Sequence, residues 1–286
     1  AEAWVEVTQT TFSFDMDEQE LLFYSTRNAL IDQLAQVDLA VIFLGGNDLN
    51  SQYTEVYWGT ESENFFTGIQ SNLETLHDFI RTRHPDMPIV VATVPDVGAT
   101  PKRTESGDFD DPDKLAAARA KIAALNQGII DEFESRDLTA VARVDRLTDM
   151  VFDFMPFHLN GTVFTAPGAT LNNPPDRLFT HDDFHPNTVS QALVANEIVA
   201  AINQLVEPPL DVTPFPDREI LSDVLGLNPD QPYLDWVDGF AVSPATMSAD
   251  PDGDGLDNLV EYLLGTSPGG HSAPISGDWK PGGQLS

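Results

Sequence analysis

Short apolar runs alternate with longer amphipathic stretches along the first two-thirds of the chain. Residues 37–44 (VDLAVIFL) are apolar up to Gly45-Gly46, residues 88–94 (PIVVATV) up to Pro95, and residues 139–144 (TAVARV) form a third run. Continuous apolar runs of this length predict strands buried on both faces of a parallel sheet. Between them, Phe65, Ile69, Leu73, Leu76, Phe79 and Ile80 recur at helical spacing over 64–84, and His84-Pro85 stops the pattern. Residues 113–136 are Ala-rich and amphipathic, with Asp113 near the start, and predict a long helix. A short helix is predicted at 146–154 and a last one at about 188–206. Residues 155–180, rich in Pro, Gly and Asn, read as a long loop.

Alternating strands and helices predict an α/β fold with a parallel sheet covered on both faces. In such sheets working residues sit on loops beyond the carboxyl ends of strands. Gly45–Asp48 and Pro95-Asp96 fall at such ends. The prolines of 207–218 (EPPLDVTPFPDR) predict a stiff connection. This divides the chain into a first domain over 1–207, a Pro-rich linker over 208–232 and a small module with a tail over 233–286.

Composition narrows the partners. The 286 residues carry 46 Asp+Glu against 14 Lys+Arg, a formal net charge of −32. Such a surface repels phosphate backbones and anionic membranes, so nucleic acid is not an expected partner. It suits work in salt or with divalent cations. With no cysteine in the chain, thiolate catalysis, disulfides and Cys-ligated zinc are excluded. No apolar run is long enough to span a bilayer. The opening AEAWVEV has neither a basic start nor an apolar stretch. The expectation is therefore that a leader has been removed or that the chain begins inside a longer gene product.

Two local motifs carry candidate chemistry. Gly45-Gly46-Asn47-Asp48 directly follows a predicted strand. Glycines there allow a sharp turn and close approach of a ligand, and an Asn amide can donate to a developing oxyanion. Asn and Gly are also ordinary turn formers. The second motif is His181-Asp182-Asp183-Phe184-His185-Pro186-Asn187. Asp182 or Asp183 would hold one ring nitrogen of His185, freeing the other to act as general base. A metal site built from His181, Asp182, Asp183 and His185, or a helix N-terminal cap, fits the same residues.

Taken together, the two motifs resemble the SGNH (GDSL-type) hydrolases, in which a G-x-N-D block supplies an oxyanion Asn and a D-x-x-H-P block supplies acid and base. The resemblance assigns the acid to Asp182 and the base to His185. It implies roles for Gly45 and Asn47 in the oxyanion hole. Between the motifs, VVATVPDVGATP (90–101) resembles the lipase-like branch, with its P-D-x-G-x-x-P stretch, and Asn126 sits where that branch carries an Asn. The resemblance spans about 20–206. It implies a flavodoxin-like three-layer α/β/α fold and hydrolysis of a carboxylic ester (lipid, acylated sugar or polyester) without a catalytic cofactor. The family's G-D-S serine block occurs nowhere in the chain. Its second Gly block would fall near 10–30, where no Gly stands and the only serines are Ser13 and Ser25. The nucleophile is thus not identified, and the first strand and its serine are expected to lie outside this chain, with residues 3–9 as a substitute strand. A catalytically inactive module for calcium-dependent adhesion or assembly is the alternative.

Residues 250–261 (DPDGDGLDNLVE) match a twelve-residue calcium loop. Asp250, Asp252 and Asp254 stand at positions 1, 3 and 5, Gly255 at 6, Leu256 (through its carbonyl) at 7, Asn258 at 9 and Glu261 at 12. The segment resembles the dockerin-like or thrombospondin-type phrases of large secreted bacterial proteins. Structural calcium, an extracellular location and further modules of a larger protein are the expectations that follow.

Overall fold

The computed structural model describes residues 34–153, 155–165, 177–205 and 213–271, and the backbone of 279–280 and 284–285. Ser13, Ser25 and the strand expected at 3–9 lie outside these residues. The described residues form two compact units. One comprises 1–157 and 163–225, the other 158–162 and 226–286.

Three strands of the first unit make a parallel sheet in the order β1 (Ala40–Ile42), β2 (Ile89–Ala92), β3 (Thr139–Ala142). Val41 pairs with Val90, and Val91 with Val141. Side chains alternate across the sheet, so β2 feeds two cores. Ile89 and Val91, with Ile42 and Val141, join a core filled from α1 (Gly46–Trp58), α2 (Phe65–Arg83) and α3 (Pro112–Phe133). Val90 and Ala92, with Ala140 and Ala142, face Val194, Ile198, Ala201 and Ile202 of α5 (Thr188–Leu205). The four side chains of β2 are fully buried. The result is the expected three-layer α/β/α sandwich, and α4 (Asp145–Asp153) follows β3.

Local sequence explains the elements. The Asp111 carboxylate caps α3 by accepting the N–H groups of Asp113 (3.1 Å) and Lys114 (3.3 Å), with Pro112 at the first helical position. His77, which shows no partner in the sequence, is a core residue of α2. Its Nε2 lies 2.9 Å from Thr139 Oγ1, and burial lowers its pKa.

Three parts depart from the sequence reading. Residues 46–58, to which the sequence reading gave only the turn at Gly45–Asp48, are a helix, because Leu49, Tyr53, Val56 and Tyr57 present one buried face. The long loop over 155–180 contains a two-stranded hairpin, β4 (Phe157–Leu159) and β5 (Thr162–Phe164). Asn160 and Gly161 turn it with φ of 45° and 83°, as a tight hairpin turn requires. Within the span read as linker (208–232), residues Asp217–Val224 are helical, and Ile220 and Leu221 are fully buried.

In the second unit, α6 (Gln231–Asp238) and α7 (Asn258–Leu264) are held by an aromatic cluster. The ring centroids of Tyr233, Trp236 and Tyr262 lie 5.3–5.9 Å apart. The Asn258 side chain is completely buried and donates to the carbonyls of Pro244 (3.1 Å) and Thr246 (2.9 Å).

Candidate active site

The carboxyl end of β1 turns directly into α1. Gly45 makes that turn with φ 105°. A Cβ on it would lie 2.6 Å from Val94 Cγ2 and 3.3 Å from Ile69 Cγ2, so both conformation and space demand glycine. Asn47 therefore stands in the first turn of a helix, exposed, one residue before the buried Asp48. Here backbone N–H groups point outward with the positive end of the helix dipole, a setting that favours negative charge.

The segment after β2 connects this turn to the histidine. Asn126 of α3 clamps its beginning. The Asn126 amide accepts from Val94 N and donates to Val94 O, both at 2.8 Å. Pro95 then lies against Gly46, 3.6 Å from where a Cβ would stand. The Asp96 carboxylate accepts the Gly98 N–H (2.8 Å) and starts a 3₁₀ turn over Val97–Ala99. Gly98 packs on the Tyr53 ring so closely that a Cβ would fall 1.9 Å from the hydroxyl oxygen. Arg103 ties the segment to α1 by donating to Asn50 O and Oδ1 at 3.2 and 3.0 Å. Pro95, Asp96 and Gly98 of the P-D-x-G-x-x-P stretch thus each have a local structural task.

At the other end, the Lys102 N–H donates to Asp183 O at 2.9 Å. Asp183 adopts φ 61°, which an Asp tolerates better than most residues, and reverses the chain between Asp182 and His185. Asp182 Oδ1 accepts from Thr180 Oγ1 (2.6 Å) and from the N–H groups of Phe184 and His185 (both 3.0 Å). Asp182 Oδ2 takes His185 Nδ1 in a short hydrogen bond. Desolvation works against ionisation of Asp182, but the bonds from Thr180, His185 and Phe184 outweigh it and hold the carboxyl well below the usual range. No described residue bonds His185 Nε2, and the imidazole is about two-thirds exposed. Phe184 packs on the same core as Leu44, Tyr53 and Val94. The Asn47 helix and the His185 turn are therefore held by one connecting segment.

These features fit a positioned acid–base pair and an anion-stabilising helix start tied together by one segment. A model of the family described as GDSL-like Lipase/Acylhydrolase matches residues 11–198, more than half of the chain. The chain belongs to the GDSL-like lipase/acylhydrolase family. No match was found among curated proteins or among solved structures. In this GDSL-like chain, Asp182 is the aspartate that meets His185, and no contact joins Asp183 to the imidazole. The four-residue metal alternative is not formed. Among the described residues the one group of three or more His or carboxylate side chains gathered closely enough to hold an ion is Asp250, Asp252 and Asp254. Tyr57 does not line a cleft. It is core, and its hydroxyl accepts the Asp111 N–H at 2.8 Å, while exposed Trp58 lies under Lys114 Nζ at 3.5 Å.

Sequence reasoning placed Asp96 at a strand end without foreseeing its burial, and passed over Tyr53. Asp96 is 6 % exposed, and burial pushes its carboxyl up to about 6 against the lowering effect of the Gly98 N–H. Burial, with the Asp96 charge beside it, raises the Tyr53 hydroxyl above its ordinary value. The signal available was the Pro-Asp-x-Gly spacing itself, which marks a capped turn.

The second cluster lies in the loop before α7. Single carboxylate oxygens of Asp250, Asp252 and Asp254 lie within 4.8 Å of one another. Asp250 accepts the N–H groups of Gly255 (2.9 Å) and Gly253 (2.8 Å), which hold its carboxyl below the usual range. Asp254 accepts the Leu256 N–H at 2.9 Å. Asp252 Oδ2 and Asn258 Oδ1 are buried and accept no hydrogen bond, although both Asn258 donor bonds are made. Glu261 is fully buried, with Oε1 3.4 Å from Thr266 Oγ1. Buried oxygens that lack a donor fit a hard cation.

Proposed function

We propose that this chain is a carboxylic-ester hydrolase of the esterase or lipase kind, working through a serine, His185 and Asp182. His185 Nε2 takes the proton of the attacking hydroxyl and later delivers it to the leaving alcohol. Asp182 holds the imidazole tautomer with Nδ1–H and balances the imidazolium charge. Asn47, with Gly45 shaping its turn, donates to the tetrahedral oxyanion. The nucleophilic serine is not identified among the described residues. The observation that carries the reading is the Asp182–His185 hydrogen bond, with the carboxylate fixed by three further donors and Nε2 left for a reacting group. The test is turnover of p-nitrophenyl butyrate together with labelling by a serine-directed fluorophosphonate, mapped by mass spectrometry. Turnover that His185→Ala abolishes, with one labelled serine, supports the reading. A full-length gene product that neither turns over nor labels is an inactive member of the family, and adhesion or assembly then becomes the leading function.

We also propose structural calcium in the second unit, bound by Asp250, Asp252, Asp254, the Leu256 carbonyl, Asn258 and Glu261. The two buried acceptor oxygens and the three converging carboxylates support it. Loops of this kind fill at the calcium concentrations found outside cells, so the proposal carries an extracellular site of action with it. Isothermal titration with calcium tests it, and heat identical to that of an Asp250→Ala/Asp254→Ala variant counts against it.

A further inference from the structure

The first unit contains a cavity of about 340 Å³ that the ester chemistry does not use. It opens between α3 and α4, at the carboxyl ends of β2 and β3. Asp96 comes from the segment after β2, and Arg143 and Asp145 from the end of β3. Ile122 and Ile130 supply apolar floor. The volume falls at the small end of ligand sites, roughly 300–1,000 Å³. It suits a compact molecule rather than an acyl chain or a polymer.

The guanidinium charges in the wall are already paired. Arg143 Nε and one Nη bind both oxygens of Asp145 at 2.9 and 2.8 Å. Arg119 binds both oxygens of Asp153 at 3.3 and 3.1 Å and approaches Asp149 at 3.5 Å. An anion would have to displace these carboxylates, and a cation would meet two guanidinium groups. What remains unspent is a mixed set. Arg119 Nε and the second Nη of Arg143 donate to no described residue. Asp96, nine-tenths buried, accepts one N–H through Oδ1 and none through Oδ2. Hydroxyl groups donate and accept at once, so they match such a set without net charge. Leaving these buried polar groups against an apolar ligand would cost the hydrogen bonds they now make to water.

We propose that this cavity is a binding site for a neutral polyhydroxylated ligand of monosaccharide size. The site stands apart from the Asp182–His185 pair, and its occupation does not depend on ester hydrolysis, so either conclusion can fail alone.

Ala123 lies on the exposed side of α3 and lines the cavity, so Ala123→Trp fills it without removing a charge. Binding of D-glucose, D-xylose and glycerol is measured by saturation-transfer NMR and calorimetry, with acetate, inorganic phosphate and glycine as charged competitors. The expected result is saturable binding of at least one sugar, weakened about tenfold or more by Ala123→Trp and by Arg119→Gln. Should Ala123→Trp fail to fold, Arg119→Gln decides. No saturable binding of the three polyols, binding that both variants leave unchanged, or stronger binding of a charged competitor overturns the proposal.

Discussion

Asp182 and Asp250 perform the same local task in different surroundings. Each carboxylate gathers backbone N–H groups from the next few residues and shapes a turn ahead of a helix. Beyond that the two regions part. The free side of Asp182 meets an imidazole, a group that can take a proton and neutralise it. The free side of Asp250 meets two more carboxylates. The first turn pairs its carboxylate with a ring donor from the chain, whereas the second sets like charges against one another, as the proposed cation site requires. A turn of one design is thus open to the proposed proton transfer or to the proposed ion capture according to the residue placed opposite. Asp96 adds a third outcome, a carboxyl that meets a single N–H and that burial pushes up to about 6.

The largest test of this contrast is at His185. Replacing it by Ala should lower kcat for a p-nitrophenyl ester by roughly 10⁴-fold or more. A loss below tenfold would show that the imidazole is not the base. Asn47→Ala comes next, with kcat reduced by about 10²–10³-fold and KM little changed if its amide acts only on the oxyanion. A change confined to KM would place Asn47 in substrate binding instead.

Local spacing put an Asp next to His185 but left Asp182 and Asp183 open; the family resemblance chose Asp182, and the structure pairs Asp182 with His185. The convergence of Asp250, Asp252 and Asp254 was legible from their alternate spacing within one loop. The strands were equally legible, since β1, β2 and β3 fall inside the three apolar runs. The helix carrying Asn47 was not. Gly45-Gly46 drew attention to a turn and hid the buried stripe of Leu49, Tyr53, Val56 and Tyr57 that follows. The Asn160-Gly161 hairpin and the helical Asp217–Val224 were similarly masked by neighbouring prolines and glycines. The burial of Asp96 is of a different order. It depends on Tyr53 and on α3 closing over the turn, and no local spacing encodes that.

A smaller effect is expected from calcium. Adding the ion at about a hundred times its dissociation constant should stabilise the second unit by about 2.7 kcal/mol. Differential scanning calorimetry with calcium and with chelator reads this directly. Asp252→Ala should remove the difference, and a melting curve indifferent to chelator would break the contrast with Asp182.

Asp96→Asn is expected to be stabilising, by about 2 kcal/mol at pH 7. Its carboxyl is raised from an ordinary 3.8 to about 6 in the folded chain, so the folded state keeps a proton that the unfolded state has lost. Stability contributed by the protonated form is complete below about pH 4 and is lost as pH rises through 6. The variant should therefore melt higher than the parent at pH 7 and together with it at pH 4. A difference of the same size at both values would mean that packing, not ionisation, separates them.

The hydrogen bond from Lys102 N–H to Asp183 O has one more consequence. Amide protons exchange with deuterium only when their bond opens, and this donor sits in the first residues of a short helical turn, where an N–H otherwise faces water. Its protection is set by how often the Asp182–His185 turn lifts from the connecting segment. One backbone amide, followed by NMR in deuterated solvent, would thus serve as a clock for the opening of the turn, independent of any substrate.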